Sequence, residues 1–161
     1  MSTINANTIN NASGAGGVDI QGTNTNDAAA SGYIGQEVIS TLLVGSAVSL
    51  TTTVAANITS IDIPAGDWEL DGDIVFSFAG TPSYVNASVN TVSATLPSAD
   101  TPVNGVINTG HNTALNTINE HAFIPNMRVS LSAQTTYYLI ARSAFTSTCT
   151  AWGFIRARRV R

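Results

Sequence analysis

From Gly66 to Phe78 the chain alternates between apolar and acidic residues almost without a break. Trp68, Leu70, Ile74, Phe76 and Phe78 fall on one side of the alternation. Asp67, Glu69, Asp71 and Asp73 fall on the other. A period of two belongs to a strand with one face buried and one face wet. Wound as a helix, the same residues would scatter round the surface. The segment therefore predicts a central core strand whose outer face carries a concentrated negative charge.

The rest of the sequence is consistent with β structure. At 161 residues the chain is long enough for one domain with a real core. Only 10% of it is charged, against the usual quarter or so. Thr, Ser, Asn, Ala and Gly replace the missing charge, a composition that favours strands and turns over helices. There is no Lys, and the six basic residues are all Arg. A net charge of −4 argues against a general nucleic-acid binder. No apolar run reaches the length of a membrane span. The N-terminus lacks a basic region followed by an apolar core, so no signal peptide is read and cytoplasmic synthesis is expected. Cys149 is the lone cysteine and forms no intrachain disulfide. The sequons at Asn11, Asn57 and Asn86 are chance matches in so Asn-, Ser- and Thr-rich a chain.

Two parts emerge along the chain. Residues 1–32 are polar, small and without aromatic residues until Tyr33. They suit either a disordered tail or an extended arm that pairs with another subunit. The arm is favoured because Ile4, Ile9, Val18 and Ile20 sit among strand-compatible residues. Residues 33–161 form the main domain. Strands are expected over 33–43, 47–53, 57–63, 66–78, 84–96, 121–131, 135–144 and 151–160. In the last, Trp152, Phe154 and Ala157 are expected to turn one way. Residues 106–120 are irregular and Asn/Thr-rich, and no strand is assigned there. About eight strands with turn signals between them and no convincing helix indicate a sandwich or barrel.

Few residues suggest chemistry. Asp67, Glu69, Asp71 and Asp73 project one way, about 7 Å apart along a strand. Three roles suit that row: a solvated face, pairing with Arg, or ligation of Ca²⁺ with backbone carbonyls. Arg156, Arg158, Arg159 and Arg161 crowd the last six positions, and their planar forks suit carboxylates. Pairing of these arginines with protein carboxylates, within or between subunits, is the favoured reading; a frayed tail and nucleic acid are the others. His111 and His121 show no metal-ligand spacing. Cys149 lies in no nucleophile pattern. No catalytic residue, metal or cofactor is assigned.

Three segments carry a resemblance, together with the opening residues 1–14. They are residues 33–37 (YIGQE), residues 61–70 (IDIPAGDWEL) and residues 151–159 (AWGFIRARR). The chain resembles the small jelly-roll proteins of tailed-bacteriophage virion surfaces. The resemblance implies an all-β fold: a single jelly-roll-like β-sandwich of about eight antiparallel strands with an extended N-terminal arm. It implies a non-enzymatic homotrimer on the virion surface. Two family roles fit. One is a capsid-decorating (cement) protein whose arm clamps neighbouring capsid subunits. The other is a short tail-fibre or appendage protein whose knob binds a host receptor or glycan. The short chain, with no fibrous shaft, favours the first. The expected partners are further copies of itself and the major capsid protein or other virion proteins, with no membrane and no direct nucleic-acid contact.

Overall fold

The structure, a computed structural model, describes residues 29–97, 105–111 and 119–161. The expected arm, with Ile4, Ile9, Val18 and Ile20, lies outside the described residues. The strands run in the order β1 (Glu37–Leu42), β2 (Val48–Ser49), β3 (Ala56–Ile63), β4 (Gly66–Phe78), β5 (Pro82–Asn90), β6 (Ile107–His111), β7 (Asn119–Leu131), β8 (Thr135–Phe145) and β9 (Cys149–Arg159). A single short 3₁₀ turn, Val44–Ser46, interrupts them among the described residues.

These strands pair into two antiparallel sheets. The first runs β1-β9-β4-β7, with the two-residue β2 also on β9; the second runs β3-β8-β5-β6. Successive strands mostly cross from one sheet to the other, so neighbours within a sheet are far apart in sequence. Leaving out β2, this order is that of a jelly roll, two Greek keys wrapped into a sandwich. The expected fold class is what the structure has.

The acidic-aromatic segment is β4, with the expected bounds, and lies inside the first sheet between β9 and β7. Pro64, Ala65 and Gly66 turn the chain into it. Its inward residues Trp68, Leu70, Ile74 and Phe76 are fully buried. They pack with Ile61 and Ile63 of β3, Val85 and Val89 of β5, Val129 of β7, Tyr137 and Leu139 of β8 and Ile155 of β9. Burying side chains of this size stabilises the sandwich by about 1.5–3 kcal/mol each before chain entropy is counted.

The first strand begins at Glu37 rather than at 33, because residues 31–35 form turns, and the strand expected over 47–53 is only Val48–Ser49. The structure differs from the sequence reading in four further places. A strict period of two over 57–63 sets Ile58 on the face opposite Ile61 and Ile63, but the register of β3 with β8 shifts between Asn57 and Thr59, a bulge that brings Ile58 inward beside them. The fifth strand ends at Asn90, because the Asn90 amide donates to Thr95 O and draws the chain into a turn. Residues 107–111 are a strand; pairing with β5 and a bond from Ser88 Oγ to Ile107 O supply what the sequence pattern lacks. In β9 Trp152 and Phe154 face outward, and Ala157 lies with Ala151 and Ile155 on the buried face.

That last reversal follows from how closely β4 and β9 approach. A Cβ on Gly153 would lie 2.0 Å from Asp73 O, and one on Gly72 would lie 2.7 Å from Phe154 O. The two glycines flank one stretch of ladder, with Gly72 opposite Ile155 and Gly153 opposite Ile74. Backbone atoms cannot swing aside as a side-chain tip can, so only glycine fits. Gly153→Ala is therefore expected to destabilise by about 1–3 kcal/mol or more, read as a lowered thermal midpoint. Gly45→Ala, whose new Cβ meets nothing within 4 Å, is expected to leave the midpoint nearly unchanged.

Candidate functional site

The candidate site is the outer face of the first sheet. Register sets its layout in rows that cross β1, β9, β4 and β7. Glu37, Arg158, Glu69 and Arg128 form one row, because Glu37 opposes Arg158, Arg158 opposes Glu69, and Glu69 opposes Arg128. Ile39, Arg156 and Asp71 form the next. Thr41, Phe154, Asp73 and Phe123 form the third, and Trp152, Val75 and His121 the fourth. One end of the face is thus a checkerboard of opposite charges and the other is aromatic. Opposite charges directly across a ladder attract, and Glu69 and Asp71 each face an arginine, while Arg128 and His121 reach Asp67 and Asp73 from diagonal positions.

The acidic row and the terminal arginines meet within one chain. Arg156 Nη2 donates to Asp71 Oδ2 at 2.9 Å, and Arg156 Nε lies 3.6 Å from Glu37 Oε1. Asp71 beside it raises the already high pKa of that guanidinium. Asp67 accepts from Arg128 Nη2 at 3.2 Å and from Arg161 Nε. Asp73 Oδ2 accepts from His121 Nδ1 at 2.7 Å. Glu69 is exposed between Arg158 and Arg128. An exposed pair such as Arg156–Glu37 contributes about 0.2–1 kcal/mol, whereas the carboxylates of Asp67, Asp71 and Asp73 are largely covered. Reasoning from the sequence misses Glu37 and Arg128. The usable signal is the matching i, i+2 spacing of Glu69 and Asp71 with Arg156 and Arg158.

Arg159 does a different job from its neighbours. Its guanidinium carbon sits 4.3 Å from the centroid of the buried Trp68 ring. Nε donates to Gln36 Oε1 at 3.1 Å and Nη2 to Ala65 O at 3.0 Å. Nη1 occupies the space a Cβ on Gly66 would take, and Gly66 has a φ of 138°. The arginine ties the entry to β1 to the β3–β4 turn and covers the core tryptophan. Arg159→Lys keeps the charge but loses the planar fork and most of the stacking. It is expected to lower the thermal midpoint, while Arg158→Lys on the exposed row leaves it nearly unchanged.

Asp67 is only 8% exposed. Hydrogen bonds from Arg161, Ser130 and Arg128 outweigh burial and hold its carboxyl down at about 2. An unfolded Asp titrates near 3.9. A depressed folded value means its stabilisation is present above about pH 4 and is lost as pH falls towards 2. The fall in unfolding midpoint between pH 4 and 2 is therefore expected to be shallower in Asp67→Asn than in the parent chain.

The aromatic end is open to solvent. Phe123 is 67% exposed and stacks on His121 with ring centroids 5.9 Å apart. Trp152 and Phe154 are half-buried on β9. Ile39, Leu43 and Val44 are exposed on β1 and the turn after it. By contrast, Cys149 is 2% exposed, and burial pushes its thiol up to about 12. It stays protonated at neutral pH and is no nucleophile there. Among the described residues no group of three His, Cys, Asp or Glu side chains gathers in a way that could hold a metal ion. The acidic row is spread along the sheet and engaged by Arg and His. Among the described residues no helix is long and apolar enough to cross a membrane.

No protein-family model matches this chain, and no curated protein sequence matches it. Two solved structures from infectious bursal disease virus are similar to it. One, the structure of the Gx strain, shows 13% identity and a TM-score of 0.49 over 89% of this chain and 37% of that one. The other, the crystal structure of the VP2 subviral particle, shows 14% identity and a TM-score of 0.44 over 77% of this chain and 30% of that one. The chain spans about a third of the length of the chains it matches.

Proposed function

We propose that the chain is a non-enzymatic structural protein of a bacteriophage virion, a homotrimeric capsid-decorating protein whose N-terminal arm clamps neighbouring capsid subunits. The outer face of the first sheet carries this reading. Most of its charges are engaged within the chain, while Phe123, Trp152, Phe154 and Ile39 remain open. A surface with satisfied charges and unsatisfied apolar bulk suits contact with protein. The resemblance of segments 33–37, 61–70 and 151–159 to phage virion surface proteins supports a virion protein as that partner. Burying shared surface between subunits stabilises a shell against internal pressure. A β arm adds main-chain hydrogen bonds along a neighbour's strand edge with little demand on side-chain identity. The charged residues of β4 and the C-terminus have a second proposed use at the subunit boundary, where Glu69 and Arg158 are the members with least intrachain engagement.

The exposed rings favour one other reading, a short tail-fibre or appendage protein, since flat aromatic faces also suit the apolar faces of sugars on a host receptor. Two measurements separate and test these readings. Densitometry of purified particles is expected to give hundreds of copies per virion for a decorating protein, and a handful for a fibre. Deletion of residues 1–30 is expected to leave a folded sandwich that no longer holds to capsids. Normal decoration by the truncated chain would overturn the arm.

A further inference from the structure

The first sheet has two edges, β1 and β7. β7 is guarded. Pro125 and Asn126 form a bulge where its register against β4 shifts, and Thr109 Oγ1 from the second sheet donates to Phe123 O. β1 has no bulge, proline or lysine. The hydrogen bonds of β9 show which main-chain groups of β1 point outward. Arg159 and Cys149 bond on the β1–β2 side, to Gly35, Gln36 and Leu50, whereas Thr148 and Val160 bond on the β4 side, to Ala79 and Asp67. Odd-numbered residues of β9 therefore face β1. Val38, Ser40 and Leu42 oppose Ala157, Ile155 and Gly153 and take those bonds. Glu37, Ile39 and Thr41 turn their N–H and C=O groups away from β9, to the outer edge, and all three side chains are exposed.

The same edge gathers apolar surface. Of the eight large apolar side chains exposed among the described residues, five lie along it: Tyr33 and Ile34 in the turn before β1, Ile39 at its middle, and Leu43 and Val44 just after it. The leading turn is fixed in place. The Gln36 side chain, itself buried, accepts from Gly32 N–H at 2.7 Å and from Arg159 Nε at 3.1 Å, and Gln36 N–H donates to Tyr33 O. A strand edge with outward main-chain groups, and with apolar residues at its centre and at both ends, is a template for another strand.

We propose that β1 pairs with β1 of a second copy of this chain, antiparallel about a two-fold axis at Ile39. This register sets Ile39 opposite the partner's Ile39 and Glu37 opposite the partner's Thr41. The residues whose main-chain groups point outward then oppose one another, and each such pair exchanges two hydrogen bonds. The two Glu37 carboxylates stay apart, whereas a pair centred on Glu37 would set like charges face to face. Because the strands run in opposite directions, the start of each lies beside the end of the other. The Tyr33–Ile34 turn of one copy thereby meets the Leu43–Val44 turn of its partner, so the apolar ends cover each other. The contact is isologous: one surface serves both copies. It joins chains, or trimers of chains, in pairs, and does not depend on whether the chain decorates a capsid or tips a fibre. Dissociation alone frees the edge, so its amides still exchange without unfolding of the sandwich.

Cysteine cross-linking of the full chain tests the register. Opposed residues in a hydrogen-bonded pair have Cα atoms about 5.5 Å apart, within reach of a disulfide. Thr41 lies about 13 Å from the partner's Thr41, four residues along the strand, beyond that reach. The native Cys149 is buried and does not compete. Ile39→Cys is therefore expected to give a disulfide-linked dimer on oxidation, read on a non-reducing denaturing gel. Thr41→Cys and Glu37→Cys, each alone, are expected to give at least about tenfold less. Mixing Glu37→Cys chains with Thr41→Cys chains is expected to restore the dimer. All three positions are exposed on one strand, so the variants compare like with like and fold as the parent does. Absence of the Ile39→Cys dimer would overturn the proposal and assign the edge to some other strand. Equal cross-linking of Thr41→Cys and Ile39→Cys would overturn it as well, since that is the outcome of random collision.

Discussion

The pairing of β4 with β9 is the contact on which the rest of the structure depends. It joins residues more than seventy positions apart over an eleven-residue register, from Trp68 opposite Arg159 to Phe78 opposite Cys149. The two backbones approach so closely at Gly72 and Gly153 that no side chain fits between them and the neighbouring strand. One consequence lies inside the sandwich. With the inward positions of β9 held by Ala151, Gly153, Ile155 and Ala157, room is left for Trp68 and Phe76 from β4. The other lies outside. Trp152, Phe154, Arg156 and Arg158 are turned to the surface, each opposite a β4 residue: Val75, Asp73, Asp71 and Glu69.

This division explains why charge and apolar surface coexist on one face without an obvious penalty. Carboxylates spaced along one strand repel, but each here has a basic residue on a flanking strand. Neutralisation within the chain leaves the aromatic rows as the face's main unsatisfied feature. A long-range ladder is also costly to close in chain entropy before its contacts reward it. Its glycines and cross-strand ion pairs therefore matter for choosing the register, since a slip by one residue would bury the acids and expose the core.

Much of the fold was legible because β4 carries its period of two almost without a break, and β7 and β8 carry it nearly as well. What was not legible depends on register. Residues 107–111 hold Asn, Thr and Gly where a strand pattern would show apolar residues, and they form a strand because β5 offers an edge and Ser88 a hydroxyl. The outward turn of Trp152 and Phe154 contradicts the rule that large aromatics point inward. It follows from an approach of backbones that the linear sequence does not reveal. The acidic row and the terminal arginines were visible as two features, but their union within the chain was one of several readings.

Native-state hydrogen exchange of the backbone amides tests the primacy of the β4–β9 ladder most directly. The amides of β4 and β9 around Gly72 and Gly153 should exchange most slowly, through global unfolding, while those at the outer edge of β1 exchange by local opening. If the β4 and β9 amides exchanged as fast as those edge amides, the ladder would not be what holds the molecule together.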